Sequence, residues 1–283
     1  MSGFTQWGAG DATEFIAIPR ATDDKYSRGV LGLITGSVEY PGAAVLGVEA
    51  ALRTGVGMVR YLGPEVVSIL VLQRRPEAVT VPGRVQSWLL GSGIDATTRD
   101  ATTTERMGAA LSEGVPVVLD AGALDLLGNA GGPVVITPHF RELGRLIAVD
   151  PGAIAADPAL WCARAAERLG ATVLLKGSRS YVCSPGGSGF VTPVASSWLA
   201  TAGTGDVLGG ILGALVATHA APLQDDAAQD DEHSLLARLA ASAAVIHAEA
   251  GSLAGAGGPV TALDVAAALP ETIARLLREH PRA

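Results

Sequence analysis

A polar turn bracketed by glycines, Ala202-Gly203-Thr204-Gly205-Asp206, runs directly into the apolar stretch Val207-Leu208-Gly209-Gly210-Ile211-Leu212. Gly203 and Gly205 carry no Cβ, so the backbone there can approach a ligand closely. The N–H groups that open a helix have no partner within it, and the helix dipole adds partial positive charge at the same end. Gly203, Thr204 and Gly205 therefore mark a site for a phosphate or a developing oxyanion. A carboxylate in such a place repels an anion. Asp206 is accordingly either a helix cap or a base that takes a proton from a substrate hydroxyl beside the phosphate.

Other residues of chemical interest lie elsewhere in the chain. Lys176-Gly177-Ser178-Arg179-Ser180 offers a cation and successive backbone N–H groups to a nucleotide phosphate, or forms a plain hairpin turn. Asp120, before Ala121-Gly122-Ala123, either caps the next helix or holds magnesium through water. His139, between Pro138 and a helical stretch, either hydrogen-bonds a substrate amide or hydroxyl or satisfies a backbone carbonyl. Glu142 suits the start of that helix, where its charge complements the dipole.

The elements that must position these residues alternate. Short apolar runs at 30–37, 57–62, 87–90, 116–120, 133–137 and 172–177 read as strands of a parallel sheet covered on both faces. Helical stretches at 43–54, 99–112, 141–147 and 158–169 fall between them, and Gly55 stops the first. Residues 172–177 and 180–183 read as a hairpin at the far side of the sheet. Helices at 234–250 and 264–278 finish the chain, and the acidic stretch Asp225 to Glu232 reads as a solvated loop. Strands alternating with helices imply a three-layer α/β/α domain with a mostly parallel central sheet. Residues 25–283 are expected to form that single domain, with 1–24 as a lead-in. In open α/β sheets ligands bind beyond the carboxyl ends of the strands. Gly36-Ser37, Gly91-Ser92-Gly93, Asp120, Thr137-Pro138-His139 and Lys176-Gly177 all fall at such ends, as does the approach to the 203–206 turn, so a shared cleft is the expectation.

Composition narrows the classes. Hydrophobic residues make up 48% of the 283 and charged residues 17%, enough apolar material for one large core. A net charge of −8 argues against a nucleic-acid partner. Cys162 and Cys183 lack metal-ligand spacing and read as reduced core thiols. No metal cage of side chains is apparent. The first residues show neither a basic segment nor an apolar one of the secretory type, and no uncharged apolar run reaches membrane-spanning length without glycine or proline. A cytoplasmic protein without a membrane partner is the expectation.

Taken together, Gly36-Ser37…Pro41-Gly42-Ala43-Ala44, Val118-Leu119-Asp120-Ala121, Ile136-Thr137-Pro138-His139, Leu175-Lys176-Gly177 and Ala202-Gly203-Thr204-Gly205-Asp206-Val207-Leu208-Gly209-Gly210 resemble the ADP/ATP-dependent NAD(P)H-hydrate dehydratases. These are carbohydrate-kinase-like members of the ribokinase-like superfamily, and the resemblance runs from about Lys25 to Leu277. It implies a ribokinase-like fold and a cofactor-repair activity: NADH or NADPH hydrated on its nicotinamide ring is dehydrated back at the expense of ADP, giving AMP and phosphate, or of ATP. Magnesium is implied as a companion of the nucleotide. By motif position, the resemblance puts Ala43, Gly93, His139 and Asp206 against the hydrate. It puts Lys176, Gly177, Ser178, Arg179, Ser180 and Gly205 against the adenine nucleotide. It further implies a homo-oligomer, and a separate protein acting upstream as the epimerase.

Three stretches depart from the family pattern. Gly91-Ser92-Gly93 stands where Gly-Pro-Gly is usual, and Phe140-Arg141-Glu142 where Pro-Gly-Glu follows the histidine. Ala195-Ser196-Ser197-Trp198-Leu199 replaces an Asn-containing stretch. The second change brings Arg141 near the cleft, where it bears on recognition of a 2′-phosphate. Two further readings share the scaffold: a kinase acting on a vitamin alcohol of the hydroxyethylthiazole or pyridoxal type, and a nucleotide-binding module without catalysis.

Overall fold

The computed structural model describes residues 3–223 and 229–282, with 229–234 described in backbone only. The chain begins with β1 (Thr5–Gln6) and α1 (Ala9–Thr13), then β2 (Val30–Ile34), α2 (Pro41–Thr54), β3 (Met58–Tyr61), α3 (Glu65–Arg74) and β4 (Ser87–Leu90). Next come α4 (Ala101–Ser112), β5 (Val117–Leu119), a 3-10 segment (Ala121–Asn129), β6 (Val134–Ile136), α5 (Phe140–Ile147), α6 (Pro151–Ala156) and α7 (Pro158–Leu169). The rest is β7 (Thr172–Leu175), β8 (Tyr181–Cys183), β9 (Gly189–Val191), a 3-10 turn (Ser197–Leu199), α8 (Thr204–Thr218), α9 (Ala220–Leu223), α10 (Gln229–Gly255) and α11 (Ala262–Glu279).

All nine strands form one sheet in the order β1-β9-β8-β7-β6-β5-β4-β2-β3. From β7 through β3 every pairing is parallel, while β8 pairs antiparallel with both β7 and β9. The expected hairpin is therefore present at 172–183. Successive side chains of a strand point to opposite faces, and the core divides accordingly. Leu31, Leu33, Leu89, Val118, Val135 and Leu174 pack with α8, α2 and α10 on one face. Val30, Ile34, Leu90, Leu119, Ile136 and Leu175 pack with α4, α5 and α7 on the other. This is the three-layer α/β/α arrangement.

Helix α8 lies at the centre of the first layer, and every residue from Val207 to Ala217 is buried. A helix apolar on all sides is stable only in such a place. Gly210 lets α2 come close, since a Cβ there would meet the Gly47 carbonyl and the Ala50 methyl.

Residues 3–24, expected as a lead-in, add a strand and a helix that the sequence patterns do not show. β1 pairs in parallel with β9, and Trp7, Ala12 and Ile16 are buried in the first core layer. Of the acidic stretch read as a loop, 225–228 lies outside the described residues, but Gln229 onward is the start of α10. The correction has a plain cause: acidic residues favour a helix's first turn because they complement its dipole. Cys162 on α7 and Cys183 on β8 are free and buried.

Candidate active site

Because β7, β6, β5, β4 and β2 are parallel neighbours, the segments leaving their carboxyl ends share one rim. Lys176, His139, Asp120, Ser92 and Gly36 come together there, each directly after or within a few residues of its strand. Asp120 is 4% exposed and both its oxygens are engaged. Oδ1 accepts from Lys176 Nζ at 2.8 Å and from the Thr137 hydroxyl at 2.8 Å, and Oδ2 accepts from the Ser92 hydroxyl at 3.0 Å. Burial works against its charge, but the lysine and the two hydroxyls hold the carboxyl below the usual carboxylate range. This corrects the capping reading of Asp120: it makes no side-chain cap bond to the 3-10 segment that follows, and its carboxylate is spent instead on three donors from neighbouring strand ends.

Gly203 precedes α8 with φ of +90°, a left-handed conformation that glycine adopts without strain. A Cβ there would lie 2.5 Å from Leu46 Cδ1 and 3.0 Å from the Ala262 methyl. Thr204 spends its hydroxyl on the loop, donating to the carbonyls of Leu199 and Thr201 at 2.8 and 2.9 Å. Gly205 sits in the first helical turn, and a Cβ on it would stand 3.8 Å from Lys176 Nζ. The ammonium thus lies between Asp120 and the opening of α8.

Asp206 is not the cap, since Gly203 holds that position. Burial pushes the Asp206 carboxyl up to about 7, and the negative charge of Asp120 pushes the same way, while Lys176 pulls it down. The result is a half-buried carboxylate that takes up a proton near neutral pH, the property a general base needs.

A cavity of about 600 Å³ opens beside this turn, lined by His139, Lys176, Ser178, Ser180, Thr204 and Gly205 among others. Gly177 also lines it, whereas Arg179 is exposed, is absent from the lining, and donates at 3.3 Å to the carbonyl of Thr192, which does line the cavity. Ala43 and Gly93 lie on the other side of the turn and touch each other, the Ala43 methyl standing where a Gly93 Cβ would fall. Neither Ala43 nor Gly93 belongs to the lining of this cavity. A second cavity of about 590 Å³, lined by Leu160, Arg164 and 183–189, lies at the amino end of β7 and contains none of these residues.

His139 caps α5. Its Nδ1 accepts from the backbone N–H groups of Arg141 and Glu142 at 3.1 and 3.2 Å, and Glu142 returns a bond to the His139 N–H at 2.8 Å. A ring nitrogen that accepts twice carries no proton, so the ring hydrogen sits on Nε2, 3.6 Å from Glu142 Oε1. His139 therefore does structural work and still lines the cavity.

Sequence patterns placed Ser92 and Thr137 at the rim without a role and missed His247. The His247 ring lines the cavity from α10, and burial, reinforced by Lys176, pushes its pKa down to about 4, so the imidazole is neutral. Nothing near it in sequence distinguishes it from any other residue of an amphipathic helix. Ser92 was legible only as part of a glycine-rich turn.

A family model described as NAD(P)H-hydrate dehydratase matches residues 31–257, which include every strand of the rim and the whole α8 turn. The chain belongs to the NAD(P)H-hydrate dehydratase family. The bifunctional NAD(P)H-hydrate repair enzyme Nnr of Mycobacterium leprae is 42% identical over 221 residues, which are 74% of this chain and 45% of that protein. The ADP-dependent (S)-NAD(P)H-hydrate dehydratase of Xanthomonas campestris pv. campestris is 30% identical over 223 residues, covering 71% of this chain and 76% of its own length. The chain spans about half the length of the Nnr proteins that it matches. The crystal structure of the ADP/ATP-dependent NAD(P)H-hydrate dehydratase from Bacillus subtilis, co-crystallised with ATP and Mg2+, superposes with a TM-score of 0.82 at 23% identity. It covers 98% of this chain and 100% of its own and establishes the shared, ribokinase-like fold.

Proposed function

We propose that this member of the NAD(P)H-hydrate dehydratase family dehydrates hydrated NADH or NADPH, with ADP converted to AMP and phosphate. The observation that carries the reading is Asp206: a carboxylate poised near pH 7, in the first turn of α8, beside Lys176 and a cavity of nucleotide size.

Hydroxide is a poor leaving group from the tetrahydropyridine ring of the hydrate. In the proposed sequence Asp206 takes the proton of the ring hydroxyl as that oxygen attacks the terminal phosphoryl group of ADP. The bond to the departing AMP oxygen breaks, and phosphate replaces hydroxide as the group to be expelled. The ring nitrogen's electron pair then drives out phosphate, and loss of a ring proton restores NADH. The backbone N–H groups of Gly203 to Gly205 and the Lys176 ammonium face the charge on the transferring group. In this reading the nucleotide occupies the cavity of Lys176, Gly177, Ser178 and Ser180, with Arg179 at its edge, and the hydrate reaches from His139, which lines the same cavity, to Ala43 and Gly93. No cluster of three His, Cys, Asp or Glu among the described residues could hold a metal ion, and Asp120 already accepts from Ser92, Thr137 and Lys176. Magnesium accordingly enters the proposal only as a companion of the nucleotide's own phosphates, and no step is routed through it.

Incubation with hydrated NADH and ADP tests the reading: the NADH absorbance band should return while AMP forms in equal amount. A stable phosphorylated alcohol without NADH recovery would make the chain a kinase of the vitamin-alcohol type. Nucleotide binding without either reaction would leave a binding module. The reading extends to a cytoplasmic homo-oligomer served by a separate epimerase. Light scattering on the purified chain checks the oligomer, and assay of each hydrate epimer checks the need for an epimerase.

A further inference from the structure

Ser92 ties the Gly36 and Gly93 loops to the Lys176 end of the rim. Its backbone carbonyl accepts from the Gly36 N–H at 2.7 Å, and its neighbour Gly93 touches Ala43. Its hydroxyl, on a residue only 1% exposed, points the other way and donates to Asp120 Oδ2 at 3.0 Å. Among the described residues it is the one donor to that oxygen, because Thr137 and Lys176 both bind Oδ1. Asp120 in turn anchors Lys176, whose ammonium stands at the opening of α8.

We propose that Ser92 is a positioning residue of this site: through Asp120 its hydroxyl fixes the Lys176 ammonium against the first turn of α8, coupling the loop that carries Gly93 to the cavity of Lys176. A buried carboxylate oxygen that loses its only donor cannot hold its charge as firmly. Asp120 stays ionised beside Lys176, but its carboxylate is no longer fixed at Oδ2. Lys176 is then less firmly held and free to lean toward Asp206, which favours the ionised form of Asp206. The titratable groups facing the network are Asp206 from α8, Glu142 from α5 and neutral His247 from α10. None of them substitutes for Ser92 at Oδ2.

The proposal rests on the dehydratase reading for its kinetic arm but has a second arm that needs no turnover. Protein labelled with 13C at the Asp carboxyls, with the Asp206 signal assigned through Asp206→Asn, reports the Asp206 titration directly. Ser92→Ala should lower the Asp206 midpoint and raise the KM for ADP by about tenfold, the scale of one lost hydrogen bond to a buried charge. Ser92→Thr should restore both, and Ser92→Cys, a near-isosteric weak donor that also covers the case of an unfolded alanine variant, should fall between. An unchanged midpoint and unchanged KM in Ser92→Ala or Ser92→Cys would overturn the proposal. A wild-type chain that fails to regenerate NADH would instead remove the dehydratase reading, and the carboxyl titration would still decide the role of Ser92.

Discussion

Lys176 Nζ lies 2.8 Å from Asp120 Oδ1, although 56 residues and a whole strand, β6, separate them. The lysine is thus committed to a protein partner before any nucleotide arrives. Lys176→Ala would leave a buried carboxylate without its cation, which costs about 3–5 kcal/mol, as well as weakening nucleotide binding. The two effects separate in a double variant. Asp120→Asn with Lys176→Met should recover most of the stability, measured by denaturant unfolding, while ADP affinity by calorimetry stays low. Recovery of ADP affinity in that double variant would remove Lys176 from the phosphate site.

Asp206 gives a prediction with a sign. As a base it must be ionised, so kcat should rise with pH through about 7 and level off above it. Asp206→Asn should keep ADP affinity and lose turnover by about 10²–10⁴-fold. The same group bears on stability in the opposite sense. Its carboxyl titrates at 3.8 in an open chain and at about 7 in the fold, so the folded state holds the extra proton between those values. Wild-type stability from this group is therefore lost as pH rises from about 4 to about 7. Asp206→Asn should unfold at a higher temperature than wild type at pH 8, with the gap closing at pH 4. A gap independent of pH would mean that Asp206 is not held protonated by its surroundings.

The fold was largely legible because its strands are buried on both faces and read as apolar runs bounded by glycine and proline. What stayed hidden depends on pairing across distance. β1 is two residues long and β9 three, too short for any period to show, and the edge they form is sealed by Trp7 and Phe190, whose rings meet edge-to-face at 4.6 Å. At the site, the motifs located the α8 turn, Lys176 and His139 because glycine, proline and charge mark a chain that stops being regular. They said nothing of what each side chain would touch. Asp120 is the clearest case: the sequence offers a cap or a metal ligand, whereas three other strand-end segments supply the partners that occupy it.

Glu49 supplies a control for acid sensitivity away from the cleft. It is fully buried on α2 and takes hydrogen bonds from Arg53, Arg74 and Arg75, with Nε distances of 2.6, 3.1 and 2.5 Å. Burial opposes its charge, yet the three guanidinium groups bring its pKa down to about 2 from 4.5. Its stabilising contribution is therefore complete above pH 4.5 and lost as pH falls toward 2. Glu49→Gln should cost about 3–5 kcal/mol at pH 7 by leaving the arginines without their counter-charge, and less at pH 3. The activity per folded molecule should not change. A stability loss equally large at pH 3 would show that packing, not charge, is what the residue provides.

The two glycines of the α8 turn should fail in different ways, and the difference tests where the phosphate sits. At Gly203 a methyl group meets Leu46 and Ala262 on a backbone with φ of +90°, so Gly203→Ala strains the loop itself. Its expected signature is a lower melting temperature together with lower activity. At Gly205 the backbone is helical and the nearest atom to an added methyl is Lys176 Nζ at 3.8 Å, ordinary contact distance. Alanine is also the better helix former by about 1 kcal/mol. Gly205→Ala should therefore melt no lower than wild type, yet its methyl projects toward the lysine where a bound phosphoryl group would lie. ADP affinity should fall by at least about tenfold, the scale of 1.4 kcal/mol of lost contact. If Gly205→Ala binds ADP as tightly as wild type, the phosphate is not held at the opening of α8, and Asp206 loses the neighbour on which its role as a base depends.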